Sequence, residues 1–153
     1  MVATSMPKID STIKLLREDF PGLVFEVGKE FKFSPPATIC YNPAQKALPH
    51  DKIALLTLHE VAHASLKHKD YDEDIQLLRM ESEAWESAKQ LCEKYDIQWD
   101  EDFIQDMLDS YRDWVHNRSL CPVCEVSGYQ DTGLKYHCAM CGKVWLGQQK
   151  RAL

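Results

Sequence analysis

Leu58-His59-Glu60-Val61-Ala62-His63 lies inside a helical run and decides how the rest of this chain is read. On an α-helix, residues four apart share a face, so His59 and His63 can aim ring nitrogens at one ion. Glu60 sits about 100° around the helix from His59, able to contact a metal-bound water without taking a ligand position. Two imidazoles one turn apart with a carboxylate beside the first form the minimal zinc-hydrolase apparatus, and metalloproteases use this spacing. Ile53, Leu55, Leu56, Val61, Ala62 and Leu66 surround it and predict a helix over residues 51–67.

With 153 residues, 44% hydrophobic and 27% charged, the chain has apolar side chains enough for one domain, or one domain plus an appendage. No run approaches the roughly 18 apolar residues of a membrane helix. Residues 1–14 carry no apolar segment followed by a small-residue cleavage site. These features predict a cytoplasmic protein with no membrane partner. The net charge of −6 is uneven: residues 121–153 hold four basic and two acidic side chains, residues 1–120 hold 14 and 22. An acidic body argues against extended binding to a phosphate backbone, which needs clustered Lys and Arg. The mildly basic tail leaves a weak nucleic-acid option there.

Ile9, Ile13, Leu15, Leu16 and Phe20 predict a helix over residues 8–19, stopped by Pro21-Gly22. Residues 23–27 read as a short strand ended by Gly28, with residues 31–33 continuing a hairpin. Pro35-Pro36 break the run, and residues 37–41 read as a further strand closed by Asn42-Pro43. That strand is expected to pair with an extended substrate through main-chain hydrogen bonds. Residues 43–49 and 69–74 read as loops. Helices are predicted over residues 74–95 and 100–116, the second opening on Asp100-Glu101-Asp102, acids suited to a helix N-terminus. Asn117-Arg118-Ser119 reads as a linker, after which Cys, Gly and aromatic residues dominate. The expected architecture is α+β in two domains, residues 1–118 and 119–153.

A catalytic zinc needs three protein ligands and one open position. Leu77, Leu78, Ala84, Trp85, Ala88, Leu91 and Cys92 trace an apolar stripe on the helix over 74–95, and Glu81 occupies the place of its missing member. A carboxylate inside an apolar face is expensive to bury unless it is paired or binds a metal. Glu81 is therefore the better third ligand. Glu83, about 200° away from it, is the alternative, and Glu83 and Glu86 read as solvated face. His68, five residues after His63, misses the metal face if the helix continues, and reads as a structural or C-capping histidine. Trp85 reads as a core anchor.

The helix bearing His59-Glu60-Val61-Ala62-His63, the Leu66-Lys67-His68 tail, Glu81-x-x-Ala84-x-x-x-Ala88 and the strand Ile39-Cys40-Tyr41-Asn42 together resemble the ImmA/IrrE-like metallopeptidases, a gluzincin-type family. The resemblance covers roughly residues 5–95. It implies a zincin-like fold, with a small sheet, an active-site helix and further helices, and a third zinc ligand at Glu81. It also implies selective proteolysis, relatives being known to cleave helix-turn-helix repressors. Ala62 stands where the family usually has Gly and Ser87 where it usually has Phe. No Leu-Leu-Met-Pro-like run follows the second helix.

Cys121-Pro122-Val123-Cys124 and Cys138-Ala139-Met140-Cys141-Gly142 form a zinc-ribbon signature, two knuckles supplying four thiolates to a closed tetrahedral site. Gly128, Gly133, Tyr136 and Trp145 fit a small β-sheet around it. So short a module has too little core to fold alone, and structural zinc supplies about 10–16 kcal/mol in zinc-finger peptides. His137 is a possible substitute ligand, though four cysteines already complete the site. The ribbon could be structural, dock a protein substrate or touch nucleic acid.

The expectation is thus a cytoplasmic zinc endopeptidase with one catalytic and one structural zinc. His59, His63 and Glu81 hold the first ion, and Glu60 assists attack of zinc-bound water on a protein substrate, a helix-turn-helix repressor being one candidate. Tyr71, Tyr111 and His116 are candidates for stabilising the oxyanion. A SprT-like DNA-associated protease also joins H-E-x-x-H to a zinc ribbon, but it needs a third histidine ligand and a basic surface. A non-catalytic zinc-binding adaptor would have no use for Glu60.

Overall fold

In the computed structural model, which describes residues 8–45, 48–147, 150, 151 and 153, these patterns become four helices and six short strands. They are α1 (Lys8–Asp19), β1 (Val24–Val27), β2 (Lys32–Ser34), β3 (Thr38–Tyr41), α2 (His50–Ser65), α3 (Asp74–Tyr95), α4 (Glu101–Arg118), β4 (Tyr129–Gln130), β5 (Lys135–His137) and β6 (Val144–Leu146). The chain divides into two compact units, Met1–Lys69 with Glu83–Trp99, and Asp70–Ser82 with Asp100–Leu153. The expected boundary after residue 118 falls inside the second unit, and α3 contributes to both. No helix among the described residues is long and apolar enough to cross a membrane.

In the first unit, α2 is the central element. Every residue from Ile53 to His63 is buried, as expected of a helix that is apolar on nearly all sides. It packs against α1 and against β2 and β3. The sheet has the order β1-β3-β2, with β1 parallel and β2 antiparallel to β3. The hairpin expected between residues 23–27 and 31–33 is therefore absent. The turn at residues 35–37 is short enough to force β2 and β3 to be antiparallel neighbours, and β1 then pairs with the opposite edge of β3. This order also removes the substrate-pairing role expected of residues 37–41, because a strand bonded on both edges has no main-chain groups left to offer. Ile39 and Tyr41 alternate inward towards α2. Gly28 closes β1 where its N–H donates to the Tyr41 carbonyl at 2.9 Å, and any Cβ there would collide with Cys40 Sγ. The Tyr95 hydroxyl donates to Asp19 at 2.6 Å, tying the last turn of α3 to the end of α1.

In the second unit, Asp100 caps α4 by accepting from the Phe103 N–H at 3.1 Å, and the helix runs two residues further than its pattern suggested. Asn117 and Arg118 are its last turn, not a linker. Arg118 is buried, its guanidinium 4.2 Å from the centre of Trp114 and 5.5 Å from that of Tyr136, with Nε 3.6 Å from the Asp74 carboxylate. A planar cation that stacks on aromatic rings can be buried where an ammonium would not. Asp74 also accepts from the Tyr136 hydroxyl, and its N–H donates to Gln130 at 2.8 Å, so the first turn of α3 is anchored to the cysteine module. The β4-β5-β6 sheet is antiparallel, with Tyr136 on its middle strand stacked on Trp145 at 5.8 Å.

Gly128 lies where this sheet meets α4. A Cβ there would stand 2.5 Å from the Trp145 ring and 2.6 Å from the His137 carbonyl. Gly128→Ala should therefore cost about 1–3 kcal/mol by overpacking, measured by thermal unfolding. An unchanged melting temperature would show that this contact does not form.

Candidate metal centres

His59 and His63 stand one turn apart on α2, and their Nε2 atoms are 3.1 Å from each other. Two ligands on a tetrahedral zinc at about 2.0–2.1 Å stand about 3.3 Å apart, so the two nitrogens already have the spacing of a shared ion. The Glu60 Oε2 atom is 3.9 Å from His59 Nε2, and all three residues are at most 5% exposed. His59, Glu60 and His63 offer ligand atoms within 4.8 Å of one another, a group that could hold a metal ion. The His59 ring is stacked on Trp85 at 4.0 Å and 21°, which fixes its plane. Trp85 is thus the buried anchor expected of it, and also a wall of the site.

His68 caps the C-terminus of α2, one of the roles expected of it, yet it is not carried away from the metal face. The helix stops at Ser65, and Lys67 adopts a left-handed φ of 60°. The His68 N–H then donates back to the His63 carbonyl at 3.0 Å, as in a Schellman cap. This reversal returns the imidazole to the site, where its Nδ1 lies 2.9 Å from Nδ1 of His63. The continuing helix that would carry His68 away does not exist. Nothing in the sequence announced the turn, since Lys rather than Gly takes the left-handed position. Glu83, the alternative third ligand, is exposed and lies 3.6 Å from the other ring nitrogen of His68.

Along α3 the buried positions are Asp74, Leu77, Glu81, Ala84, Trp85, Ala88 and Cys92, one continuous stripe at helical spacing. Glu81 is fully buried within it, as the apolar pattern predicts, one turn before Trp85. Of the oxyanion candidates, Tyr71 is buried and donates its hydroxyl to the Arg151 carbonyl at 2.5 Å, burial pushing its pKa up to about 12. Tyr111 lies under the Arg151 guanidinium at 3.8 Å, and His116 is exposed.

The four cysteines Cys121, Cys124, Cys138 and Cys141 form the second group. Cys121 Sγ and Cys141 Sγ are 3.7 Å apart, against about 3.8 Å for two thiolates on a tetrahedral zinc and about 2.05 Å for a disulfide. The two knuckles are built alike. In the first, the Cys121 N–H donates to Val126 at 2.8 Å and Glu125 donates to the Cys121 carbonyl at 2.9 Å. In the second, Cys138 donates to Lys143 at 2.8 Å and Gly142 to the Cys138 carbonyl at 3.0 Å. The residue after each second cysteine is left-handed, Glu125 at φ 62° and Gly142 at φ 77°. His137 pairs with Asp131 at 2.9 Å and is not one of this group.

Burial opposes ionisation of Cys121, but N–H groups of Cys124 and Val123, each at 3.4 Å, and the neighbouring thiols outweigh it and draw its pKa down to about 7. Cys124 is pushed up to about 12 by its hydrogen bond with Cys141 and by burial. One member of the quartet is thus ready to bind metal near neutrality.

Compared with models of protein families, with curated proteins and with solved structures, the chain matches none.

Two outcomes follow from the knuckles. Glu125→Gly should stabilise the metal-loaded protein by about 0.5–1 kcal/mol in thermal unfolding, because glycine takes a left-handed φ without steric cost; a loss of stability would contradict that backbone. In reduced, metal-free protein the first thiolate absorbance should rise through about pH 7 and vanish as pH falls below it, since the folded value lies under the ordinary 9. A first step near pH 9 would refute the Cys121 environment.

Proposed function

We propose that this chain is a zinc-dependent endopeptidase, built on a zincin-like scaffold of the ImmA/IrrE-like kind and carrying a C-terminal zinc ribbon. The observation that carries the reading is the convergence of His59 and His63 Nε2 at 3.1 Å beside buried Glu60. Two imidazoles and a carboxylate are the donor set of a catalytic zinc with an open position, whereas four thiolates make a closed structural one. His59, His63 and Glu81 would hold the catalytic ion. Glu81 is assigned from its place in the Glu81-x-x-Ala84 element of the sequence resemblance and from its burial on the apolar stripe of α3.

When bound, the ion supplies Lewis acidity that polarises a peptide carbonyl and acidifies water. Glu60 accepts a proton from the attacking water on a carboxylate oxygen and delivers one to the leaving amine nitrogen. Its burial keeps the carboxylate out of bulk solvent. Trp85 holds the His59 ring in plane. An extended protein substrate would add to an outer edge of the sheet, on β1 or β2, since β3 is paired on both sides. A helix-turn-helix repressor is the substrate class favoured by the sequence resemblance, and the cytoplasm the compartment. The ribbon's zinc is structural in this reading.

Wild type and Glu60→Gln, compared in the source lysate by mapping new protein N-termini, test the assignment. Wild type should generate N-termini that the variant does not, with zinc content equal in both. Equal cleavage by the two proteins, or none by either, would sink it. Glu81→Gln should release zinc from the histidine site at least tenfold more readily, while the cysteine site keeps its ion.

A further inference from the structure

His63 uses both of its ring nitrogens. Its Nε2 converges with His59 Nε2 at 3.1 Å, and its Nδ1 meets His68 Nδ1 at 2.9 Å. The remaining nitrogen of His68, Nε2, stands 3.6 Å from Glu83 Oε1. His68 is buried at 7% exposure, while the Glu83 side chain is 52% exposed. A line of side chains thus runs from the His59–His63 pair to a carboxylate at the surface of the first unit. The arrangement is built by the backbone, through the left-handed Lys67 and the His68 N–H bond to the His63 carbonyl.

Proton positions along this line are fixed by elementary bookkeeping of lone pairs. A neutral imidazole that offers Nε2 to a metal must carry its proton on Nδ1. The His63 Nδ1–H then has to donate to His68 Nδ1, which must be bare. His68 in turn carries its proton on Nε2, the atom turned towards the Glu83 carboxylate. The metal-binding form of His63 thus selects the tautomer of His68. Metal-ligating histidines ordinarily make this outer bond to a carboxylate, a carbonyl or water; here a second histidine stands between the ring and the carboxylate.

We infer that His68, backed by Glu83, is the positioning residue that holds His63 in its Nδ1–H tautomer and sets the metal affinity of the α2 site. The inference rests on the proposed metal-binding role of His59 and His63. His68 touches neither metal nor substrate in this assignment and acts only through His63.

Cobalt titration of the full-length protein tests it, the tetrathiolate spectrum reporting the cysteine site and the remaining bands the histidine site. His68→Phe should weaken cobalt binding at the histidine site by about 10–100-fold and leave the cysteine site unchanged, which also shows that the variant folds. His68→Gln should recover much of the loss, because the amide oxygen can accept from His63 Nδ1–H. Glu83→Gln should produce a smaller loss than His68→Phe. In metal-loaded wild type, nitrogen-15 spectra should show His68 protonated on Nε2 and bare on Nδ1. Equal affinities for wild type and His68→Phe, or a His68 protonated on Nδ1, would overturn this assignment alone. Absence of any histidine-site cobalt in wild type would overturn the parent reading as well.

Discussion

Three titratable side chains close the buried run of α2. From Ile53 to His63 every residue of α2 is shielded from water, and His59, Glu60 and His63 fall at the end of that run. Burying titratable groups costs free energy unless hydrogen bonds or a cation compensate it. The surroundings fit that requirement. His59 lies against Trp85, His63 bonds to His68, and the two Nε2 atoms face each other at close to the separation of zinc ligands. The first unit is arranged around this helix. The β1-β3-β2 sheet and α1 pack against it, and Trp85, Ala88 and Cys92 continue the buried stripe of α3.

The second unit solves another problem of burial. Its three-stranded sheet is made of strands two or three residues long and covers one buried aromatic, Tyr136. So small a core cannot hold a fold. Two devices supplement it. One is the quartet of thiols, held by twin knuckles at metal-ligand spacing. The other is the Asp74–Arg118–Tyr136 cluster with Trp114, which fastens the module to the first turn of α3 and the last turn of α4. The two candidate metal centres differ in kind. Four sulfur donors leave no position for a reactant, whereas the histidine pair with a buried carboxylate does.

Much of this was legible in the chain because the relevant signals are periodic or covalently spaced. Glu81 interrupts an apolar stripe, and the structure buries it completely. The C-x-x-C spacing alone brought four sulfurs together. The helix over 74–95 has the bounds that its pattern suggested. What escaped was non-local or conformational. The pairing order of three short strands depends on a turn and on which edge of β3 is free, and alternation in sequence does not encode either. His68 was set aside on the premise of a continuing helix, which a left-handed lysine ends. Arg118 looked like linker because its charge conceals its ability to stack between aromatic rings.

The proposed function requires two zinc ions in chemically different cages. Zinc-edge X-ray absorption of the purified full-length protein, combined with metal analysis, measures this directly. Two zinc ions per chain, with a sulfur shell at about 2.3 Å and a nitrogen or oxygen shell at about 2.0–2.1 Å, are expected. A single zinc surrounded by sulfur alone would leave the His59–Glu60–His63 cluster without its ion and would contradict the proposal.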